Sequence, residues 1–314
     1  MKPAPDTVDR VGMVGLGIMG SAMSANLVRA GFEVSGYDIV PALRARLRRA
    51  GGRPARSIAD LARRAPVIIT SLPSAAALLD VAEAIAALRR RGQVVVETST
   101  LPLEDKHAAQ RRLARAGVVL LDCPLSGTGA QARSRDLVVF ASGPRAAVRR
   151  CRALFEGFAR AQHFLGAFGN GSKMKFVANL LVAIHNVSAA EAFTLARKAG
   201  LDAEQVYRVV GDGAGGSRMF SVRGPMMVAE DYSDATMKVE VWQKDMRVIA
   251  EFAAALECPT PLFAASAPVY AAAMAAGRAR EDTAAVCAVL GEMAGIRPRA
   301  KPRRRKAARR RARR

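Results

Sequence analysis

Cysteine is scarce in this 314-residue chain and never clustered. Cys123, Cys151, Cys258 and Cys287 form no C-x-x-C pair and have no histidine set beside them, which argues against a disulfide framework or a zinc site. Reduced thiols of the cytoplasm fit that usage. Histidine is equally rare. His107, His163 and His185 show neither metal-ligand nor triad spacing and read as packed or helix-surface residues, so no metal is expected. The opening MKPAPDTVDR lacks the apolar core of a secretory signal, and residues 1–9 read as a short loose leader. The most apolar long stretch, Cys258 to Gly277, is broken by Pro259, Pro261 and Pro268, so it reads as a buried helix and no membrane partner is expected. Acids are outnumbered, 27 against 49 Lys and Arg, for a formal net charge of +22. Arg297 to Arg314 alone holds twelve bases and no acid, leaving 37 against 27, or +10, in the rest.

What the chain does have is 51% apolar residues, enough for the cores of two ordinary domains. It also has one stretch of dense meaning. Val11 to Val14 is an apolar run suited to a buried parallel strand, and Gly15, Gly17 and Gly20 follow in G-x-G-x-x-G spacing. The first glycine permits a tight turn, the second lets backbone approach a pyrophosphate, and the third lets helix pack on strand. Met19, Met23, Leu27 and Val28 then recur at helical spacing through Arg29, so the loop opens a helix whose amino-terminal amides can face an anion. Phe32 to Tyr37 alternates like a strand and ends at Asp38, placed to accept both ribose hydroxyls of an adenosine. A dinucleotide is therefore expected, with Gly15, Leu16, Gly17, Ile18, Met19, Gly20 and Asp38 holding it. Asp38 would repel a 2'-phosphate, so NAD is preferred. Arg44 and Arg46 lie close behind and keep NADP open, although they read first as the solvated face of a helix from Pro41 to about Ala50.

Strand and helix alternate from there. Strands are expected at Val67 to Thr70, Val94 to Val96 and Val118 to Leu121, with further ones at Leu137 to Ala141 and Gln162 to Leu165 around a helix from Ala146 to Gly157. Helices fall at Ser74 to Arg91 and Leu103 to Ala116. From Gly171 the pattern changes to a single helical period from Ser172 to Ala199, followed only by helices, the last from Glu281 to Ala294. The fold class is α/β: an amino-terminal Rossmann doubly wound sheet over residues 10–168, then a long interdomain helix and an all-helical carboxyl-terminal domain over 169–296. Residues 297–314 are expected to be a disordered basic tail that could touch a nucleic acid or other polyanion through phosphate contacts.

Several separate motifs then stand in order: GLGIMGSAMSANL at 15–27, TSLP at 70–73, ETST at 97–100, DCPLSG at 122–127, GNGSKMKFVANLL at 169–181 and KDM at 244–246. On these the chain resembles the β-hydroxyacid dehydrogenases, a family that includes 3-hydroxyisobutyrate dehydrogenase and 2-hydroxy-3-oxopropionate reductase, from residue 10 to about 294. The resemblance implies an NAD(P)-dependent oxidoreductase passing a hydride between nicotinamide and a small 3-hydroxy acid or its semialdehyde. It makes Lys175 the proton donor and acceptor and has Asn179, four residues on and so on the same helix face, help hold substrate. The chemistry agrees, since hydride transfer at a carbinol carbon must be accompanied by movement of the hydroxyl proton. Burial and a neighbouring positive ring would lower an amine's pKa into the useful range. Lys173, two residues earlier, is expected to be solvated.

Ser126 and Gly127 match the family's loop for the substrate carboxylate. Thr128 replaces its usual second glycine and Gln131 departs from the later pattern, which bears on pocket shape and substrate identity. Thr100 matches a contact near the nicotinamide ribose, Leu72 and Pro73 the loop over that ribose, and Lys244 a lysine that reaches the nicotinamide end. The resemblance also implies a homodimer or tetramer formed through the helical domain. Two other readings stand beside the first. Imine reductases share the fold but usually lack a lysine at the position of Lys175. A dinucleotide-binding module carried to nucleic acid by its tail is the alternative outside enzymes.

Overall fold

The computed structural model describes residues 8–296; residues 1–7 of the expected leader and the basic tail expected at 297–314 lie outside the described residues, and Val8, at the leader's end, is not loose but buried in the core of the sheet domain. Six parallel strands form the main sheet: β1 (Arg10–Val14), β2 (Glu33–Tyr37), β3 (Arg53–Pro54), β4 (Val67–Thr70), β5 (Val94–Glu97) and β6 (Val119–Asp122). Their order is β3-β2-β1-β4-β5-β6, so the chain reverses its winding between β1 and β4. That is the switch point outside which open parallel sheets bind ligands. β1, β4 and β5 are almost wholly buried, as the continuous runs of Val, Ile and Met require when helices cover both faces.

Two strand expectations need correcting. Leu137 to Ala141 and Gln162 to Leu165 are strands, but not of this sheet. They become β8 (Val138–Ala141) and β9 (Ala161–Phe164), parallel to each other in a separate three-stranded sheet whose first member is β7 (Leu125–Ser126), antiparallel to β8. β3 was not expected at all. It has two residues and includes Pro54, which a sheet tolerates only at the edge it occupies here.

The expected long helix runs Asn170–Lys198, 29 residues. It is long and apolar enough to cross a membrane, but its inward positions Phe176, Ala183, Val187, Ala190 and Phe193 belong to the core of the helical domain. Around it pack Ala203–Asp212, Arg218–Ala229, Val239–Ala255, Pro261–Ala275 and Val286–Met293. Pro261–Ala275 is the core helix expected from its prolines, burying Phe263, Tyr270 and Ala273. The helix expected from Glu281 starts later, because Asp282 caps a short 3-10 turn, Thr283–Ala285, ahead of it. The helix expected from Ala146 to Gly157 is two, Arg145–Arg150 and Arg152–Phe158, meeting at Cys151. All four cysteines are free thiols.

Candidate active site

The glycine turn at the end of β1 is shaped by what a side chain would strike. Gly15 holds φ +88°, and a Cβ there would collide with the carbonyl oxygen of Ser71; at Gly20 it would collide with that of Gly15. At Gly17 it would meet nothing within 4 Å. Gly17 is also the N-cap of the helix Ile18–Arg29, whose first turn has no side-chain cap and no acid. Open space in front of an uncapped helix start suits a pyrophosphate, so the residues present fit a dinucleotide. Leu16 is fully buried and its N–H donates to Asp38 Oδ2 at 2.7 Å, while Val40 N donates to Oδ1 at 2.8 Å. Asp38 is thus fixed by backbone at the end of β2. Arg44 is not simply solvated as expected: it donates to the Asp38 carbonyl oxygen at 2.5 Å and lies over the Tyr37 ring, 5.7 Å from its centre. Arg46 is exposed.

Across the switch point, the loops after β4 and β5 are tied together, Leu72 N donating to Ser99 Oγ at 2.8 Å, and Pro73 is exposed beside them. The helical domain reaches this edge through Lys244, whose Nζ donates to the carbonyl oxygen of Thr100 at 2.6 Å. Its neighbour Asp245, expected only as the partner of Lys244 in the KDM motif, organises the cluster. Asp245 Oδ1 lies 3.3 Å from Lys244 Nζ and Oδ2 accepts from Asn179 Nδ2 at 2.9 Å. Lys175 stands one turn before Asn179, partly exposed, whereas Lys173 is exposed as expected. Burial lowers the Lys175 amine from its ordinary 10.5 to about 8, with Asp245 pulling the other way and Lys244 adding to the drop. Lysine, asparagine, aspartate and lysine from two helices therefore converge on the strand end that carries Thr100.

Ser126 ends β7, and Gly127 follows with φ +132°, where a Cβ would come within 2.7 Å of Leu137. Thr128 and Gln131, the two departures from the family pattern, turn out to be one device. They form a capping box on the short helix Gly129–Arg133: the Thr128 hydroxyl accepts from the Gln131 backbone, and Thr128 N donates to Gln131 Oε1 at 3.0 Å. A Cβ on Gly129 would come within 2.5 Å of Ile18, so this loop abuts the glycine turn.

Behind these residues lies a buried charge cluster that the sequence reading missed. Lys106 is 0% exposed; its Nζ donates to Ser99 O at 2.7 Å and Asp122 Oδ1 at 2.8 Å, and lies 4.0 Å from Glu97 Oε1. Glu97 also accepts from Ser99 N at 2.6 Å and from the Thr70 hydroxyl. The available signal was an acid closing each of two apolar strand runs, since an acid in such a place needs a partner. Among the described residues no group of three or more His, Cys, Asp or Glu side chains is placed to hold a metal. Cavities of about 800 and 540 Å³ open near the amino ends of the strands, both lined by Arg149 and Arg152, and these two contain none of the site residues.

Residues 10–169 match the family described as the NAD-binding domain of 6-phosphogluconate dehydrogenase. Residues 169–290 match that described as NAD-binding of NADP-dependent 3-hydroxyisobutyrate dehydrogenase. The chain is 35% identical over 280 residues to an L-threonate dehydrogenase of Cupriavidus necator, covering 88% of this chain and 94% of that one. A solved 3-hydroxyisobutyrate dehydrogenase of Mycobacterium tuberculosis, described with L-serine, superimposes with a TM-score of 0.82 at 28% identity, over 90% of this chain and 99% of that one. An imine reductase of Streptomyces aurantiacus shares the fold at 22% identity and a TM-score of 0.57, over 90% of this chain and 99% of that one. With its glycine turn, its helical second half and these matches along nearly its whole described length, the chain belongs to the β-hydroxyacid dehydrogenases, oxidoreductases dependent on NAD(P).

Proposed function

We propose that the chain interconverts a small 3-hydroxy acid and its semialdehyde, with Lys175 carrying the hydroxyl proton. The observation that carries this reading is the Lys175 amine, lowered to about 8 by burial, in one cluster with Asn179, Asp245 and the Lys244 that touches the strand end after β5. The nicotinamide, when bound, supplies or takes the hydride. Lys175 takes the proton as a free amine during oxidation and returns it as an ammonium during reduction. Ser126, Gly127 and Thr128 with Asn179 hold the carboxylate end, using a hydroxyl, backbone N–H groups and an amide. Two of the relatives support this substrate class: L-threonate, for which one is named, and L-serine, with which another is described, both carry a hydroxyl one carbon beyond the α-carbon of a carboxylate.

We place the boundary between the domains at 168/169. Gly15, Leu16, Gly17, Ile18, Met19, Gly20, Asp38, Leu72, Pro73, Thr100 and Lys244 form the cofactor's surroundings, and Asp38 makes NAD the preferred form by repelling a 2'-phosphate. Met174, Val177 and Leu181 leave an apolar stripe exposed on the long helix, and a second copy of the chain is its proposed partner. Free cysteines throughout suit the cytoplasm. Phosphate contact is proposed for the basic extension, helped by the uneven charge of the body: residues 10–168 hold 24 Lys and Arg against 11 acids, or +13, and residues 169–296 hold 12 against 14, or −2.

The test is turnover by the purified chain with NAD(H) and NADP(H) across a panel of 3-hydroxy acids and semialdehydes. Oxidation with kcat/KM higher for NAD than NADP is expected. Faster reduction of a cyclic imine than of any semialdehyde would overturn the substrate class.

A further inference from the structure

The helix Asn170–Lys198 carries Lys175 in its second turn, yet it has no cap of its own. Gly169 stands at its N-cap in the left-handed region, φ +95°, with no side chain to satisfy the leading amides. The sheet satisfies them instead. Gly171 N donates to Ser142 Oγ at 3.0 Å, and Ser172 N donates to Asp122 Oδ2 at 2.7 Å. The Ser172 hydroxyl adds a bond to Asp122 Oδ1 at 2.8 Å, and the Ser142 hydroxyl donates to the Asp122 carbonyl oxygen at 3.0 Å. A Cβ on Gly171 would collide with Phe140 O and come within 2.6 Å of Asp122 O, so the helix start rests directly on the strand ends. Asp122, Ser142 and Ser172 are all 0% exposed.

Lys106 completes the arrangement, bonded to the same Asp122 Oδ1 that receives the Ser172 hydroxyl and lying near Glu97. Two carboxylates face one ammonium, and the remaining negative charge meets the positive end of a 29-residue helix. In an interior this dry, such a helix start has one electrostatically favourable seat. Asp122 also opens the segment that reaches Ser126 four residues later.

We propose that Asp122, backed by Lys106 and received by Ser172, is a positioning residue for the reaction. It sets the depth of the interdomain helix against the strand ends, and so places the Lys175 amine, three residues beyond Ser172, against the cofactor and the substrate loop. This rests on the proton-carrying role proposed for Lys175. The required precision is high, because a displacement of about 1 Å in a catalytic group can cost on the order of 100-fold in rate.

The experiment compares full-length wild type with Asp122→Asn and Ser172→Ala, measuring kcat and KM for the best acid, NADH affinity by fluorescence, and the pH profile of kcat. Asp122→Asn is expected to lower kcat about 10- to 100-fold and to shift the pH midpoint that reports Lys175, while Ser172→Ala lowers kcat about 3- to 10-fold. NADH affinity is expected to stay within about threefold in both, because the glycine turn and Asp38 sit on β1 and β2, away from Asp122. Either variant folded with kcat within twofold of wild type would overturn the proposal, as would equal losses in kcat and NADH affinity, which mark general damage. Should Asp122→Asn not fold, Ser172→Ala, which keeps the backbone bond, decides alone. A wild type that oxidises none of the acids refutes the functional reading; an active wild type matched by its variants refutes only the positioning role.

Discussion

Asp122 in the sheet domain and Asp282 in the helical domain solve one problem in two places. Each is 0% exposed, each is paired with a buried cation, and each accepts from the amides at the start of a helical segment. Asp282 receives Arg223 Nε at 3.1 Å, Ala284 N at 3.0 Å and Thr236 N at 2.8 Å, all within the helical domain. Asp122 receives Lys106 from its own domain and Ser172 from the other. The same chemistry thus serves cohesion where every partner lies in one core, and alignment where it crosses between cores beside the site. Location, not bond strength, separates the two acids.

The largest effect that tests this contrast is on the cohesive side. Asp282→Asn leaves the buried Arg223 without its counter-charge and is expected to cost about 3–5 kcal/mol in urea unfolding. Folded protein should keep kcat within about twofold, the reverse of the profile expected for Asp122→Asn. A comparable loss of kcat would erase the distinction. Burial opposes ionisation of Asp282, but Arg223 and the amides outweigh it and hold the carboxyl below its ordinary 3.8. Its stabilisation is therefore complete above that value and fades as pH falls through the lower, folded-state one.

A second effect reads the residue that Asp122 aligns. With Lys175 at about 8, oxidation is expected to rise roughly tenfold per pH unit below that point and level off above it, while reduction falls as pH passes through it. Rates flat from pH 6 to 9 would remove Lys175 from the proton path.

The smallest effect concerns stability at the site itself. Burial holds the folded pKa of Lys175 below its free value of 10.5, so the native state bears a costly charge below about pH 8 and sheds that cost between 8 and 10.5. Lys175→Met is expected to raise the thermal midpoint by up to a few degrees at pH 7 and by less at pH 10. A lower midpoint at pH 7 would show that the amine stabilises the fold.

Much of this was legible in the chain because it lay in local patterns. The apolar run Val11 to Val14, the spacing of Gly15, Gly17 and Gly20, and the unbroken period after Gly171 each announce an element without help from afar. Lys175 and Asn179 share a face at four-residue spacing, and they do meet one cluster. Lys106 was illegible because it sits in the polar run Glu104-Asp105-Lys106, which reads as solvated, and only Asp122 and Glu97 make its burial tolerable. β3 and β7 have two residues each, too few for any period to show. β8 and β9 were recognised as strands, but which sheet they join depends on the pairing of β8 with the two-residue β7, across a connection that holds the helix Gly129–Arg133.

The central claim is that the amine of Lys175 carries the proton at the nicotinamide edge. The direct measurement is kcat for the best hydroxy acid in Lys175→Ala, with NADH affinity recorded on the same preparation. A loss of about 10²- to 10⁴-fold in kcat with NADH affinity unchanged is the expected result. Turnover within twofold of wild type would contradict it.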